Sequence, residues 1–320
     1  MLVLACALAL ALFTVHYQIR FMELAWFERV QWDRTCQVMA GESGTPWQYR
    51  VFTDGIVYGT VRLFQALQLP RPIGVAFVLI RLIQNTLAFS LAVSFYRRLG
   101  LSLMEGLFGI SLLAWGMCHA LYDGDLTFNT YTDISIFLTA GLFILSGRYR
   151  WLIPLMVVAP LNRETSGCIP FMLLFSQLRW RRGPRIPRET LVTGAVCFLQ
   201  WAVIIAGLRA VFGVKPYIVP TAGERPILPL LLYNLTWPRT WIFLFSTLGL
   251  VPLLALASWR GWSPALRHFF WAVVPIWFPV HFCLAHAPET RLFLVPQTLI
   301  FIPGALFGIA WWRREASSAP

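Results

Sequence analysis

The sequence predicts an all-α, polytopic integral membrane protein, and three observations carry that prediction. The 320 residues are 58% hydrophobic and only 12% charged, with a mean hydropathy of +0.65. A soluble chain of this length has no core large enough to hide so much apolar surface, so lipid must act as its solvent. Apolar runs long enough to cross about 30 Å of hydrocarbon recur along the whole chain. Short basic clusters separate them, as they do where loops face the cytosol. The net charge of +12 therefore marks topology and not nucleic-acid binding, because no soluble scaffold exists to present a basic face.

The first run, 2–18, lacks a basic leader and a clear small-residue cleavage site, so it is expected to be retained as a span. Seven further runs follow near 72–96, 101–121, 130–147, 190–212, 240–259, 268–286 and 291–312. The intervening clusters are Arg97/Arg98, Arg148/Arg150, "RWRRGPRIPR" (179–188), Arg260/Arg267 and Arg313/Arg314. Placing all five in the cytosol makes every run join a basic loop to a non-basic one, with both termini cytoplasmic. Residues 151–178 lie between two basic clusters and are split by the polar "NRET". Each arm reaches only about 18 Å at 1.5 Å per residue, so a short helical hairpin is expected there. The expectation is a single transmembrane domain over 1–320, with about eight full transmembrane helices plus that hairpin, or about ten segments. The expected location is the cell inner (plasma) membrane.

Two long segments, 19–71 and 213–239, fall on the outer side and are expected to hold interfacial helices. "RVFTDGIVYGTVRLFQAL" (50–67) suits a helix lying along the surface with its apolar residues toward lipid. The tryptophan-rich "WQYR", "LTWPRTW" and "IAWW" read as interface belts. Ten of the fourteen acidic residues fall on this outer side, an asymmetry the topology rule does not require, because that rule concerns Lys and Arg. The six cysteines show neither metal spacing nor a disulfide framework. "NLT" at 234 matches a glycosylation acceptor.

The polar clusters are the candidate site. "WDRTCQVMAGESGTPWQYRV" (32–51) holds Asp33, which Trp32, Trp47 and Tyr49 can wall from water, as a general base requires. The competing reading is a solvated or helix-capping aspartate. Tyr49 and Arg50 follow, and arginine forks onto phosphate oxygens. Gly41, Gly44 and Pro46 would turn the chain so that Asp33 and Arg50 face one cavity. Arg163 and Glu164 of "NRET" are costly between two apolar arms and need a polar partner or a wet cavity, or else they pin the hairpin internally. Glu289 and Arg291 form a similar knot before the last run. Arg81, with Gln84 and Asn85, lies inside its run and calls for a carboxylate or a lipid phosphate. "YDGDLTFNTYTD" (122–133) carries three aspartates that suit a divalent cation, although short acidic loops are more often solvated. His119, His281 and His286, near outer helix ends, read as capping or headgroup residues.

This arrangement resembles the type C, polyprenyl-phosphate-sugar-dependent glycosyltransferase superfamily of bacterial polytopic membrane proteins. The matching stretches are "WDRTCQVMAGESGTPWQYRV", "PLNRET" and "HAPETRLFLVP". The resemblance implies an outer-face membrane glycosyltransferase that moves a sugar from a polyprenyl-phosphate-linked donor to an acceptor hydroxyl. It maps the catalytic base onto Asp33, with Arg50, Arg163 and Arg291 holding the phosphate leaving group. The chain departs from the family pattern in having Cys36 and Gln37 where a tyrosine commonly follows the loop aspartate. A transporter or flippase for lipid-linked saccharides is the alternative, and it predicts helices broken in related halves. A polysaccharide polymerase or ligase of another membrane fold is the third reading.

Topology is testable with Cys36 as reporter. In a variant keeping only that cysteine, an impermeant maleimide should label intact cells. Labelling confined to permeabilised cells would invert the scheme.

Overall fold

The computed structural model describes residues 1–121, 128–178, 186–216 and 227–318, with side chains through Trp312. Asp123, Asp125, Glu224 and most of the 179–188 basic cluster lie outside the described residues, as do the side chains of Arg313 and Arg314. Every element described is helical. The chain opens with α1 (Leu2–Met22), then α2 (Leu24–Trp26), which runs through a π-helical turn (Phe27–Gln31) into α3 (Trp32–Ala40). A 3₁₀ turn (Trp47–Tyr49) leads to α4 (Val51–Ala66). The helices α5 (Pro72–Arg98), α6 (Leu103–His119) and α7 (Phe128–Leu145) follow. Next come α8 (Leu152–Asn162), α9 (Cys168–Ser176), α10 (Arg188–Phe212) and α11 (Ile227–Thr236). The chain closes with α12 (Pro238–Leu248), α13 (Val251–Ala257), α14 (Pro264–Leu284), α15 (Leu294–Pro296) and α16 (Ile302–Ser318).

Five helices are long and apolar enough to cross a bilayer: Leu2–Met22, Pro72–Arg98, Phe128–Leu145, Arg188–Phe212 and Thr290–Trp312. The chain is a helical membrane protein on that ground. α12 and α13 form one further span or a re-entrant pair, bent by 74° at Gly249 and Leu250. α6 is apolar but only 17 residues long, and α14 carries Pro275 and Pro279 within its 21 residues. The expected hairpin is present as α8 and α9, with the break at Arg163, whose φ of −165° and ψ of 142° are extended.

Small and polar residues set the packing, as expected where lipid removes the hydrophobic drive between helices. Ala7, Ala11, Thr14 and Gln18 form a buried stripe on α1 at helical spacing. It packs on α5, where Asn85 Nδ2 donates to Thr14 Oγ1 at 2.9 Å. Gln18 Nε2 donates to the Tyr131 hydroxyl of α7 at 2.9 Å. Arg81 of α5 lies 3.8 Å from the Tyr131 ring centroid and 4.8 Å from that of Phe128, so aromatic faces receive this intramembrane cation. Near the start of the last span the helix widens into a π turn (Gln297–Phe301), and the Thr298 carbonyl there accepts from the Tyr96 hydroxyl at 2.9 Å. The Ser102–Glu105 capping box starts α6.

The segment 19–71 holds helices as expected, α3 and α4 among them, and α3 ends at Gly41, whose φ of +76° an L side chain would resist. Two expectations are revised. α4 packs Thr53, Asp54, Val57 and Val61 inward, so its buried face mixes polar with apolar groups while Ile56 and Leu63 stay exposed. Asn234 of the "NLT" stretch is fully buried. Its amide donates to the Phe282 and Ala285 carbonyls and accepts from the Ala287 N–H, so it serves as a clamp and not as a glycan acceptor.

Close approach of α5 and α6 depends on Gly109, where an added Cβ would lie 2.7 Å from the Tyr96 ring and 3.2 Å from Ile302. Gly109→Val should therefore destabilise the detergent-solubilised protein by about 1–3 kcal/mol through overpacking. A lowered unfolding temperature is expected, and an unchanged one would show that this contact is slack.

Candidate functional site

The polar hub is built from α7 and the break between α8 and α9. Asp133 is completely buried. Its Oδ1 accepts from Asn162 Nδ2 at 2.7 Å, and its Oδ2 accepts from Thr165 Oγ1 at 3.2 Å and from Arg163 Nη1 at 3.5 Å. Asn162 Nδ2 also donates to the Asn129 carbonyl, and Asn162 Oδ1 accepts from Thr53 of α4. One carboxylate thus holds three of the hairpin's polar residues, and Asn162 links them to the 19–71 segment. The turn continues through Ser166, whose Oγ donates to the Arg163 carbonyl at 2.8 Å.

A second layer meets the hub. Arg50 donates through Nε and Nη2 to Glu164 Oε2 at 3.3 and 3.2 Å. Trp201 of α10 donates to the Glu164 carbonyl at 2.9 Å. Arg291 Nη2 donates to Glu289 Oε2 at 2.5 Å. Trp47 sits between these pairs, with the guanidiniums of Arg34, Arg50 and Arg291 lying 4.7, 5.3 and 5.5 Å from its ring centroid. The 41–50 stretch is strapped to the start of the second long segment. The Tyr49 hydroxyl donates to the Gly213 carbonyl at 2.8 Å and accepts from the Lys215 N–H at 3.2 Å, while Lys215 Nζ donates to the Gly41 carbonyl at 2.7 Å.

These groups surround a cavity of about 480 Å³. Among the described residues its charged lining comprises Arg50, Arg163, Arg209 and Arg291 against Glu164 and Glu289, an excess of two positive charges with the histidines neutral. Phe171, Phe198 and Trp201 of α9 and α10 face Ile276, Val280 and Leu284 of α14 across its apolar part. Polar donors at one end and an apolar cleft at the other suit an amphiphile with an anionic head.

Five of the seven residues singled out in the sequence, Arg50, Arg163, Glu164, Glu289 and Arg291, line this one cavity. Asp33 does not. Gln31, Thr35 and Val38 form the buried face of this helical stretch, which leaves Asp33 exposed on another side. The predicted floor therefore carries Arg50 but not Asp33, because α3 presents Asp33 on its exposed side before the chain turns at 41–46. Tyr49 is buried, and its hydroxyl ties the two long segments together instead of facing the cavity. The Cys36 thiol is pushed up by burial, with Arg62 opposing and Asp33 adding to the shift. In the sequence Asp133 stands out only as one of three acids for a cation, although it lies within α7, four residues after Asn129 on one face. No group of three or more His, Cys, Asp or Glu suited to a metal occurs among the described residues. Comparison with protein-family models, with curated proteins and with solved structures finds no match.

The buried Asp133–Arg163 pair gives a direct test. Asp133→Leu leaves a buried guanidinium uncompensated and should cost about 3–5 kcal/mol. Asp133→Leu combined with Arg163→Met should recover most of that loss. Equal destabilisation by the single and double variants would mean that the pair is not coupled.

Proposed function

We propose that this protein is a membrane glycosyltransferase that takes a sugar from a polyprenyl-phosphate donor on the outer face of the inner membrane. The observation that carries this reading is the arginine-lined cavity beside an apolar cleft. Arg50, Arg163 and Arg291 converge on it from three separate parts of the chain. Guanidiniums bind phosphate through paired N–H donors and stabilise charge developing on a leaving group. The apolar cleft between α10 and α14 would take the isoprenoid. In this reading eight crossings and the α8–α9 hairpin place both termini in the cytosol, as the basic clusters require.

A base in the cavity wall would have to be a carboxylate, and among the described residues Glu164 and Glu289 are the carboxylates there. Each accepts from its arginine through Oε2, so Oε1 can take the acceptor's proton. The acceptor oxygen then bonds to the anomeric carbon, the bond from that carbon to the phosphate oxygen breaks, and the electron pair leaves with the phosphate. A single displacement of this kind inverts the anomeric centre.

Transport of a lipid-linked saccharide is a second reading, favoured by the 74° break between α12 and α13 in addition to the α8–α9 hairpin. The wall around that break argues against it. No ionisable side chain occurs from Thr240 to Trp259, and Gln297 Nε2 donates to the Leu248 carbonyl freed there.

Binding separates the readings from a purely structural role. Purified protein in nanodiscs should bind a polyprenyl phosphate and not the matching polyprenol, and Arg291→Gln should weaken that binding about 10-fold or more. Equal affinity for both lipids would overturn the phosphate assignment. With the sugar-linked lipid, Glu164→Gln or Glu289→Gln should lower turnover about 10²–10⁴-fold while preserving binding, whichever residue is the base. Full turnover in both variants would remove carboxylate base catalysis from this cavity.

A further inference from the structure

His281 is not explained by the phosphate site. It lies on α14, is 3% exposed, and lines the cavity alongside Arg50 and Arg163. Its Nδ1 is 2.7 Å from the Trp277 carbonyl oxygen. A carbonyl has no proton to give, so Nδ1 carries the hydrogen and donates it. The tautomer is fixed by this bond, as it commonly is for functional histidines. Trp277 stacks on the imidazole at 4.9 Å between ring centroids and is itself held by its Nε1 donating to the Leu292 carbonyl at 2.8 Å. Phe293 packs against the ring as well, tilted by 56° with centroids 5.9 Å apart. The ring therefore has one orientation, and Nε2 has no hydrogen-bond partner among the described residues.

The lone pair on Nε2 constrains what can meet it. It needs an O–H or N–H donor. The arginine-rich wall repels an ammonium group, and a phosphate oxygen offers no proton when ionised. A neutral hydroxyl satisfies both conditions. The arginines donate only, so the histidine adds a neutral acceptor beside them, in a lining that also holds the hydroxyls of Thr45, Thr130 and Thr165.

We propose that His281 Nε2 accepts a hydrogen bond from a hydroxyl of the transferred sugar, making His281 a specificity-determining residue. This rests on the lipid-linked-sugar reading above and assigns the sugar's place within the same cavity. The phosphate lies toward the arginines, and the sugar reaches between them and the Trp277–His281 stack. An unmet acceptor in so buried a site costs free energy, so a donor lipid without the sugar, or one lacking the hydroxyl, binds less well.

The test uses two probes on the full chain in nanodiscs, a prenyl-phosphoryl hexose and the same prenyl phosphate without sugar. The wild type should bind the sugar-bearing probe more tightly. His281→Phe keeps the stack on Trp277 but removes the acceptor, and should weaken the sugar-bearing probe about 5-fold while leaving prenyl phosphate unchanged. His281→Gln, which retains an acceptor, should recover part of the loss, whereas a merely structural role would weaken both probes equally in both variants. Equal loss on both probes, or none on either, overturns the role of His281 while the phosphate site stands. Failure of the wild type to bind either probe overturns the lipid-linked-sugar reading and this assignment together.

Discussion

The buried carboxylate of Asp133 is the constraint from which the rest of the site follows. A charge at this depth is costly unless every lone pair is answered, and Asn162, Arg163 and Thr165 answer it. Those three residues cannot reach it from a continuous helix. The chain therefore breaks at Arg163, and the freed carbonyl is taken up by Ser166. The break in the hairpin and the ion pair are two descriptions of one solution. It also decides where Glu164 goes, because the residue after Arg163 must leave the hub and meets Arg50 instead.

From that point the cavity assembles in layers. The hub is fully buried, the carboxylates of the Arg50–Glu164 and Arg291–Glu289 pairs are partly exposed, and Trp47 spaces the guanidiniums that would otherwise repel one another. Indole faces attract cations, so a tryptophan here acts as a neutral counterpart to several arginines at once. The strap between Tyr49, Gly213 and Lys215 closes the arrangement from the side. The outcome is a rigid polar wall facing an apolar cleft, an arrangement that suits an amphiphilic anion better than a soluble one.

Elsewhere the fold obeys membrane packing rules with little strain. Small residues line the α1–α5 contact, and single polar pairs such as Asn85–Thr14 fix its register. The last span widens into a π turn at Gln297–Phe301, and α14, which carries Pro275 and Pro279, lines the cavity through Ile276, Val280 and Leu284. The exposed ion pair between Arg150 and Glu189, with side chains 84% and 62% accessible, contributes little by comparison.

Composition and periodicity alone determined that the protein is helical and membrane-embedded, because hydrocarbon leaves a hydrophobic chain no other solvent and the backbone no other way to satisfy itself. The hairpin was legible too, since a polar "NRET" between two arms too short to cross the bilayer admits few alternatives. Arg50, Arg163, Glu164, Glu289 and Arg291 could be singled out because ionisable groups stand out against an apolar background. Their convergence could not be read, because it depends on which of several helices lie side by side. Asp33 shows the limit most clearly. Its neighbours in sequence suggested a shielded base, but α3 rotates it 100° away from Arg34, and only Arg34 reaches Trp47. Asp133 and His281 carry the converse lesson. Each looked ordinary in sequence, and only tertiary packing gave one a buried arginine partner and placed the other, its tautomer set locally by Trp277, in the wall of the cavity, because burial is set by residues far away along the chain.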